Sequence, residues 1–394
     1  MIAAVSAGGR GRRGRSTMGR ALIAVLAVAF TMGVSPGVDD RVASAVVEAP
    51  DIGDTASTTP VLAYYYIWYD ATTWNRAKSD LPLAGKYSSD ERTVMSDHIA
   101  TAKAAGIDGF IVSWKRTDKL DRRLEMLADL SAAQDFELVV IYQGLDFERE
   151  PLPVERVASD LDHFITTFAS HPALQLFEKP AVILSGSWRF TADEIASIGT
   201  GRRDRLLLLG SEKDAAGIER LGDLVDGDAY YWASVNPATQ GKYPERLEAM
   251  SAAVHEHSGI WIAPAASGFD ARLVGGSSVV ERKDGETLEL ELRAALSSAP
   301  DAVGLISWNE FSENTHLEPS RRVGTFYIEK VAALLGGRAP ESVNGGDPFD
   351  SSEPGDKGSG LSQIAAVGLV VVLVAGAGVV ASSRRRRHAS GGDR

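Results

Sequence analysis

Between residue 61 and about residue 335 the chain alternates eight short apolar runs with eight amphipathic stretches, and nothing else in the sequence constrains the fold as strongly. The runs lie at 61–67, 107–114, 137–142, 181–185, 206–210, 229–233, 260–264 and 303–308. They are β-branched, Leu-rich or aromatic and lack a clean two-residue alternation, as strands covered on both faces do. The stretches between them, at 89–105, 118–133, 153–169, 191–198, 215–221, 244–257, 285–298 and 320–335, have the length and patterning of crossover helices. Eight such units in roughly 275 residues predict an α/β fold of the (β/α)8, or TIM, barrel type. A doubly wound open sheet is the alternative. It calls for a Gly-rich phosphate turn after its first strand, where this chain has Tyr64-Tyr65-Tyr66-Ile67-Trp68-Tyr69.

The flanks read as addressing segments. Arg10, Arg12, Arg13, Arg15 and Arg20 precede an apolar run at 21–32, and Ala43-Ser44-Ala45 follows, which is the order of a secretory signal peptide over residues 1–45. Residues 361–381 carry no charge and abut Arg384-Arg385-Arg386-Arg387, the pattern of a single membrane-spanning helix with a basic cytoplasmic tail at 382–394. A stalk rich in Gly, Pro, Ser and acidic residues at 336–360 would join it to a catalytic body at 46–335. The expectation is a type I protein of the cell membrane with its body outside, its partners being a lipid bilayer and a ligand of the body. Six Arg against two Asp in residues 1–45, and five Arg against one Asp in 361–394, push more than the whole net charge of -12 into the middle. A body that acidic repels phosphate backbones, which argues against nucleic acid. The chain has no cysteine, so disulfides, thiol nucleophiles and thiolate metal sites are excluded.

In a barrel of this type the functional residues sit where the strands end. There the sequence places Tyr66, Trp68, Trp114, Tyr142, Trp232, Asp270 and Arg272, aromatic faces beside polar groups, which suits a sugar with its stacking C–H faces and its hydroxyls. Asn309, Glu310, Glu313 and His316 follow the last strand. Glu310 and Glu313 leave that strand three residues apart, a spacing that puts two carboxylates on one side of a turn. Carboxylates held close divide into a proton donor and a proton acceptor, the division that glycosidic bond cleavage needs. His316 would touch substrate or tune the acid. The histidines show no His-Glu-x-x-His spacing, and Ser113, Ser185 and Ser187 have no Gly-x-Ser-x-Gly context, so neither zinc nor Ser-His-Asp hydrolysis is suggested.

Ser-Trp-Asn-Glu-Phe-Ser-Glu-Asn-Thr-His-Leu-Glu-Pro at 307–319 resembles the Ser-Phe-Asn-Glu-Trp-His-Glu-Gly-Thr-Gln-Ile-Glu signature of family 99 glycoside hydrolases, the endo-α-mannosidases and endo-α-mannanases, and of relatives such as the family 71 α-glucanases. Gly85-Lys86-Tyr87-Ser88-Ser89-Asp90 and Gly268-Phe269-Asp270 with Arg272 are similar to two further family segments. The resemblance implies a (β/α)8 fold, no metal or other cofactor, and cleavage of internal α-linked mannan or glucan with retention. It also implies that Glu310 acts as base on the substrate 2-hydroxyl and Glu313 as acid and then base, with Asn309 binding substrate. Ser312 and Asn314 depart from the signature His and Gly, and Gln143 stands where relatives often carry Glu. A barrel that only binds carbohydrate or organises the cell envelope, or an envelope glycan transferase, are the alternative functions.

Overall fold

The computed structural model describes residues 59–339. The proposed signal peptide, membrane helix and basic tail, and all of the stalk beyond residue 339, lie outside the described residues. Among the described residues no helix is long and apolar enough to cross a membrane.

Eight parallel strands form one sheet: β1 (Val61–Tyr66), β2 (Gly109–Trp114), β3 (Glu137–Gln143), β4 (Ala181–Ser185), β5 (Leu207–Leu209), β6 (Gly227–Ala229), β7 (Ile260–Ala266) and β8 (Ala302–Ile306). Their order is β5-β4-β3-β2-β1-β8-β7-β6, and a parallel bridge between Gly210 and Asp228 joins the two outer strands. Gly210 N–H donates to Gly227 O at 2.9 Å and Ala229 N–H to Gly210 O at 3.0 Å, so the sheet closes into a barrel with no free edge. Helices α1 (Arg92–Ala104), α2 (Asp118–Ala133), α3 (Val154–Thr167), α4 (Ala192–Gly199), α5 (Ala215–Leu221), α6 (Tyr243–Glu256), α7 (Glu286–Ser297) and α8 (Phe326–Leu335) return the chain between and after them.

Local chemistry sets these elements. Thr117 caps α2 by accepting from Leu120 N–H, Asp214 caps α5 from Gly217 N–H, and Thr191 with Glu194 forms a reciprocal capping box at α4. All six residues of β1, β2 and β4's five are buried, which explains their unbroken apolar runs. Gly304 on β8 faces the barrel interior, where an added Cβ would lie 2.9 Å from the Tyr64 ring. Gly304→Ala is therefore expected to cost about 1 to 3 kcal/mol by overpacking, read as a lower melting temperature; an unchanged melt would show that the ring has room to yield.

Three boundaries differ from the sequence reading. Strand β6 ends at Ala229, so Tyr230, Tyr231, Trp232 and Ala233 belong to the rim and not to the sheet. Helix α8 starts at Phe326, because Ser320 pairs in antiparallel fashion with Pro82 and with Gly324 before the helix can begin. The first residues assigned to the stalk remain attached to the body, Arg338 N–H donating to Ala104 O at 2.7 Å.

Candidate functional site

The segment after β8 leaves the sheet and returns to it within about ten residues. Trp308 N–H donates to Tyr64 O at 2.8 Å, carrying the pairing of β8 with β1 one step further. Ser307 N–H donates to Thr315 O and Leu317 N–H to Ser307 O, both at 2.9 Å, and Glu318 N–H to Trp308 O at 2.9 Å. These bonds zip the base of a loop whose tip is Glu310 to Asn314. Glu310 N–H is fixed by Ser307 Oγ at 2.9 Å, and Asn314 closes the tip with a left-handed φ of 55°, a conformation that Asn tolerates better than most residues. The Ile306–Ser307 peptide is cis.

Both acids of the tip are only 2% exposed. Glu310 Oε1 accepts from Ser312 N–H at 2.9 Å, while Oε2 has no hydrogen-bond partner among the described residues. Burial raises the Glu310 pKa above the usual carboxylate value, against the opposing pull of the Ser312 amide and the Lys78 ammonium. The backbone carbonyl of Glu313 accepts from Asp270 N–H at 2.7 Å, tying the tip to the loop after β7. The two carboxylates lie within electrostatic reach of the same pair of phenols, Tyr66 at the end of β1 and Tyr231 just past β6. The hydroxyls of those two tyrosines hydrogen-bond each other, and burial keeps both phenols protonated. Two strands on different parts of the ring and the tip of the last loop thus meet at one point on the rim.

The other residues named from sequence fall into four groups. Tyr66, with Trp68 packed on it at 4.4 Å, stands beside the acids. Asp270, Arg272 and His316 line a cleft of about 290 Å³ together with Asp80, Asn314 and Arg282. In that cleft Asp270 and Arg272 bind each other through two contacts at 2.9 and 2.6 Å. His316 stacks on Phe311 at 4.3 Å, and burial lowers its pKa to about 4, so it is neutral at pH 7. Trp232 stacks on Trp188 at 4.9 Å on the side of the rim formed by the loops after β4, β5 and β6.

Trp114, Tyr142 and Asn309 correct the expectation of a substrate-facing role. Trp114 Nε1–H donates to Asp121 of α2 at 2.9 Å and packs against Phe164 of α3, and the Tyr142 hydroxyl donates to Asp160 of α3 at 2.9 Å. Both rings point into the helix layer. Their neighbours Ser113 and Gln143 bond each other at 2.8 Å on the opposite face of the sheet. Asn309 is wholly buried and its amide is spent on the Tyr66 backbone and the Tyr87 hydroxyl. It accepts from Tyr66 N–H at 2.9 Å and donates to Tyr66 O at 3.0 Å and to the Tyr87 hydroxyl at 3.2 Å. It acts as a strut that sets the position of Glu310, and a buried chain of Tyr87, Glu318, His98 and Tyr65 supports it from behind.

Tyr231 and Lys78 were not singled out from sequence. The aromatic run at 230–232 was the only signal for Tyr231, and it was absorbed into an overlong sixth strand. Lys78 sits in an irregular loop, and only the fold brings it to Glu310.

The family model for glycosyl hydrolase family 99 matches residues 70–328, about two thirds of the chain. The chain belongs to glycosyl hydrolase family 99. Among its relatives, the "Glycoprotein endo-alpha-1,2-mannosidase-like protein" of Danio rerio is 24% identical, the match covering 64% of this chain and 62% of that protein. The "Glycoprotein endo-alpha-1,2-mannosidase" of Rattus norvegicus is 23% identical over 63% of this chain and 59% of that protein. The chain thus spans about three fifths of the length of the curated relatives it matches. The GH99 endo-alpha-mannosidase of Bacteroides thetaiotaomicron superposes with a TM-score of 0.61 at 20% identity, covering 70% of this chain and 96% of that chain, a likeness of fold.

Proposed function

We propose that this family 99 protein is a glycoside hydrolase that cuts α-linked, mannose-containing glycans internally, with Glu310 and Glu313 as its catalytic pair. One observation carries the reading: two buried acids on a single loop tip face a common pair of phenols at the carboxyl-terminal rim of the barrel. Glu310, whose proton affinity burial raises, takes the proton of the substrate 2-hydroxyl. That oxygen attacks the anomeric carbon to form a 1,2-anhydro sugar, while Glu313 gives its proton to the departing glycosidic oxygen. Glu313 then removes a proton from water as the water opens the anhydro ring, Glu310 returns its proton to O2, and the configuration is retained overall. Release of reducing ends from α-mannan by the purified protein tests the reading, with α-glucan as the comparison; no release from either would refute it. The alternation of Arg-rich and apolar segments at both ends supports an anchored, extracytoplasmic placement, which membrane fractionation with protease protection would check.

The pH dependence follows from Glu310. The base must be ionised, so kcat/KM falls as pH drops through a folded-state pKa that lies above the ordinary carboxylate value. The Lys78 ammonium holds that pKa down, so Lys78→Met is expected to move the acid limb of the profile to higher pH. A limb that stays in place in the variant would remove Glu310 as the group it reports.

A further inference from the structure

The loops after β3, β4 and β5 gather three cations at the rim of an otherwise acidic body. Arg149 lies in the turn closed by the Leu145–Pro151 bridge, Arg189 in the short turn after β4, and Lys213 just past β5. The three lie within electrostatic reach of one another, and Arg149 is also in reach of Glu313. Lys213 Nζ stands 5.1 Å from the ring centre of Trp188 and 5.3 Å from that of Trp232, and the two indoles meet at 51° to form a wedge beneath it. Phe147, on the same turn as Arg149, is 60% exposed.

The acids nearby, Asp214 in electrostatic reach of Lys213 among them, leave this charge only partly balanced. Glu150 is engaged by Arg189 at 2.5 Å. Glu212, the neighbour of Lys213 in sequence, is buried and accepts from Ser187 Oγ at 2.6 Å and from Arg220 at 3.1 Å. Arg149 and Lys213 make no ion pair among the described residues. Like charges gathered at a rim repel one another. A neutral sugar would gain stacking on Trp188 but would leave that repulsion in place, whereas an anionic group relieves it through charge-assisted hydrogen bonds. Such a group would also be repelled by the ionised member of the catalytic pair, and Arg149, the cation in reach of Glu313, is placed to offset that.

We propose that this cluster is a subsite for a sugar carrying a phosphoryl or carboxyl substituent, its ring against the partly exposed Trp188, which the buried Trp232 backs, and its charge held by Lys213 and Arg149. The proposal rests on the glycosidase reading and adds to it the substrate class, a glycan with anionic decoration. The test is calorimetric binding to Glu310→Gln protein, which keeps Glu313, of methyl α-mannotrioside, its 6-phosphate ester and its 6-carboxylate. The charged ligands are expected to bind about tenfold more tightly than the neutral one, with a preference that weakens as salt rises. The stronger of the two charged arms identifies the substituent. Lys213→Ala and Arg149→Asn should each bring the preference toward one, while Arg149→Lys retains it. Lys213 is exposed, and Asn tolerates the left-handed φ of 67° at position 149, so these variants are expected to fold. Equal affinity for all three ligands, no binding of any, or a preference that survives both substitutions would overturn the subsite. Failure of the wild-type protein to release reducing ends from α-glycans would instead overturn the glycosidase reading and leave the binding comparison standing on its own.

Discussion

Glu313→Gln is expected to lower turnover of an α-linked oligosaccharide by about 10²- to 10⁴-fold, the range set by loss of a positioned general acid. The amide keeps the size of the carboxyl group but cannot protonate a departing glycosidic oxygen. An aryl glycoside whose leaving group needs no proton should recover much of the first step, so the loss on that substrate is expected to be smaller. Glu310→Gln should lose activity on both substrates, because formation of the anhydro sugar needs the base whatever group departs. Its fold should survive. The folded-state pKa of Glu310 is raised by burial, so ionising it costs more in the folded protein than in water, and a neutral amide removes that cost without leaving a charge behind. Near-normal turnover in both variants would rule out the pair.

Asn309→Ala is expected to be the most damaging single change outside the acids. It strips a partner from Tyr66 N–H and from Tyr66 C=O, both buried, and one of two from the Tyr87 hydroxyl, and each group left unsatisfied costs about 1 to 3 kcal/mol. A loss of roughly 3 to 5 kcal/mol follows, visible as a drop of about 10 °C in melting temperature for a body of this size. Turnover should fall with it, since Glu310 follows directly in the chain. Asn309→Asp separates the contributions: it keeps an acceptor for Tyr66 N–H but forfeits both donations and buries a charge, and should also destabilise. A melting temperature within a degree of wild type for the alanine variant would show that the strut carries little.

The contrast between Asn309 and Glu310 marks how far sequence reading reaches at this site. Both stand in the same signature, and both are polar residues at the end of an apolar strand. Only hydrogen-bond partners tell them apart: the amide is held by the Tyr66 backbone on the adjacent strand, more than 240 residues away in sequence, and by the Tyr87 hydroxyl, while one oxygen of Glu310 has no partner among the described residues. His316 shows the same limit. Its place after Glu313 suggested a tuning group, and burial makes it a neutral ring stacked on Phe311 at the edge of a cleft.

The sequence by itself determined the eight repeating units, because burial on both faces of a strand and on one face of a helix leaves a pattern that local composition carries. It also determined the loop holding the two acids, whose signature is contiguous. Tertiary structure alone decided which aromatic residues face the rim. In Tyr64-Tyr65-Tyr66 the first and third rings lie with Tyr231, while the middle one turns out to His98 of α1; at Ser113-Trp114 and Tyr142-Gln143 the indole and the phenol went to the helices. Successive side chains on a strand point to opposite faces, and where both faces are apolar no alternation in the sequence records which face is which. That choice is made only when the sheet closes and each face acquires its neighbours.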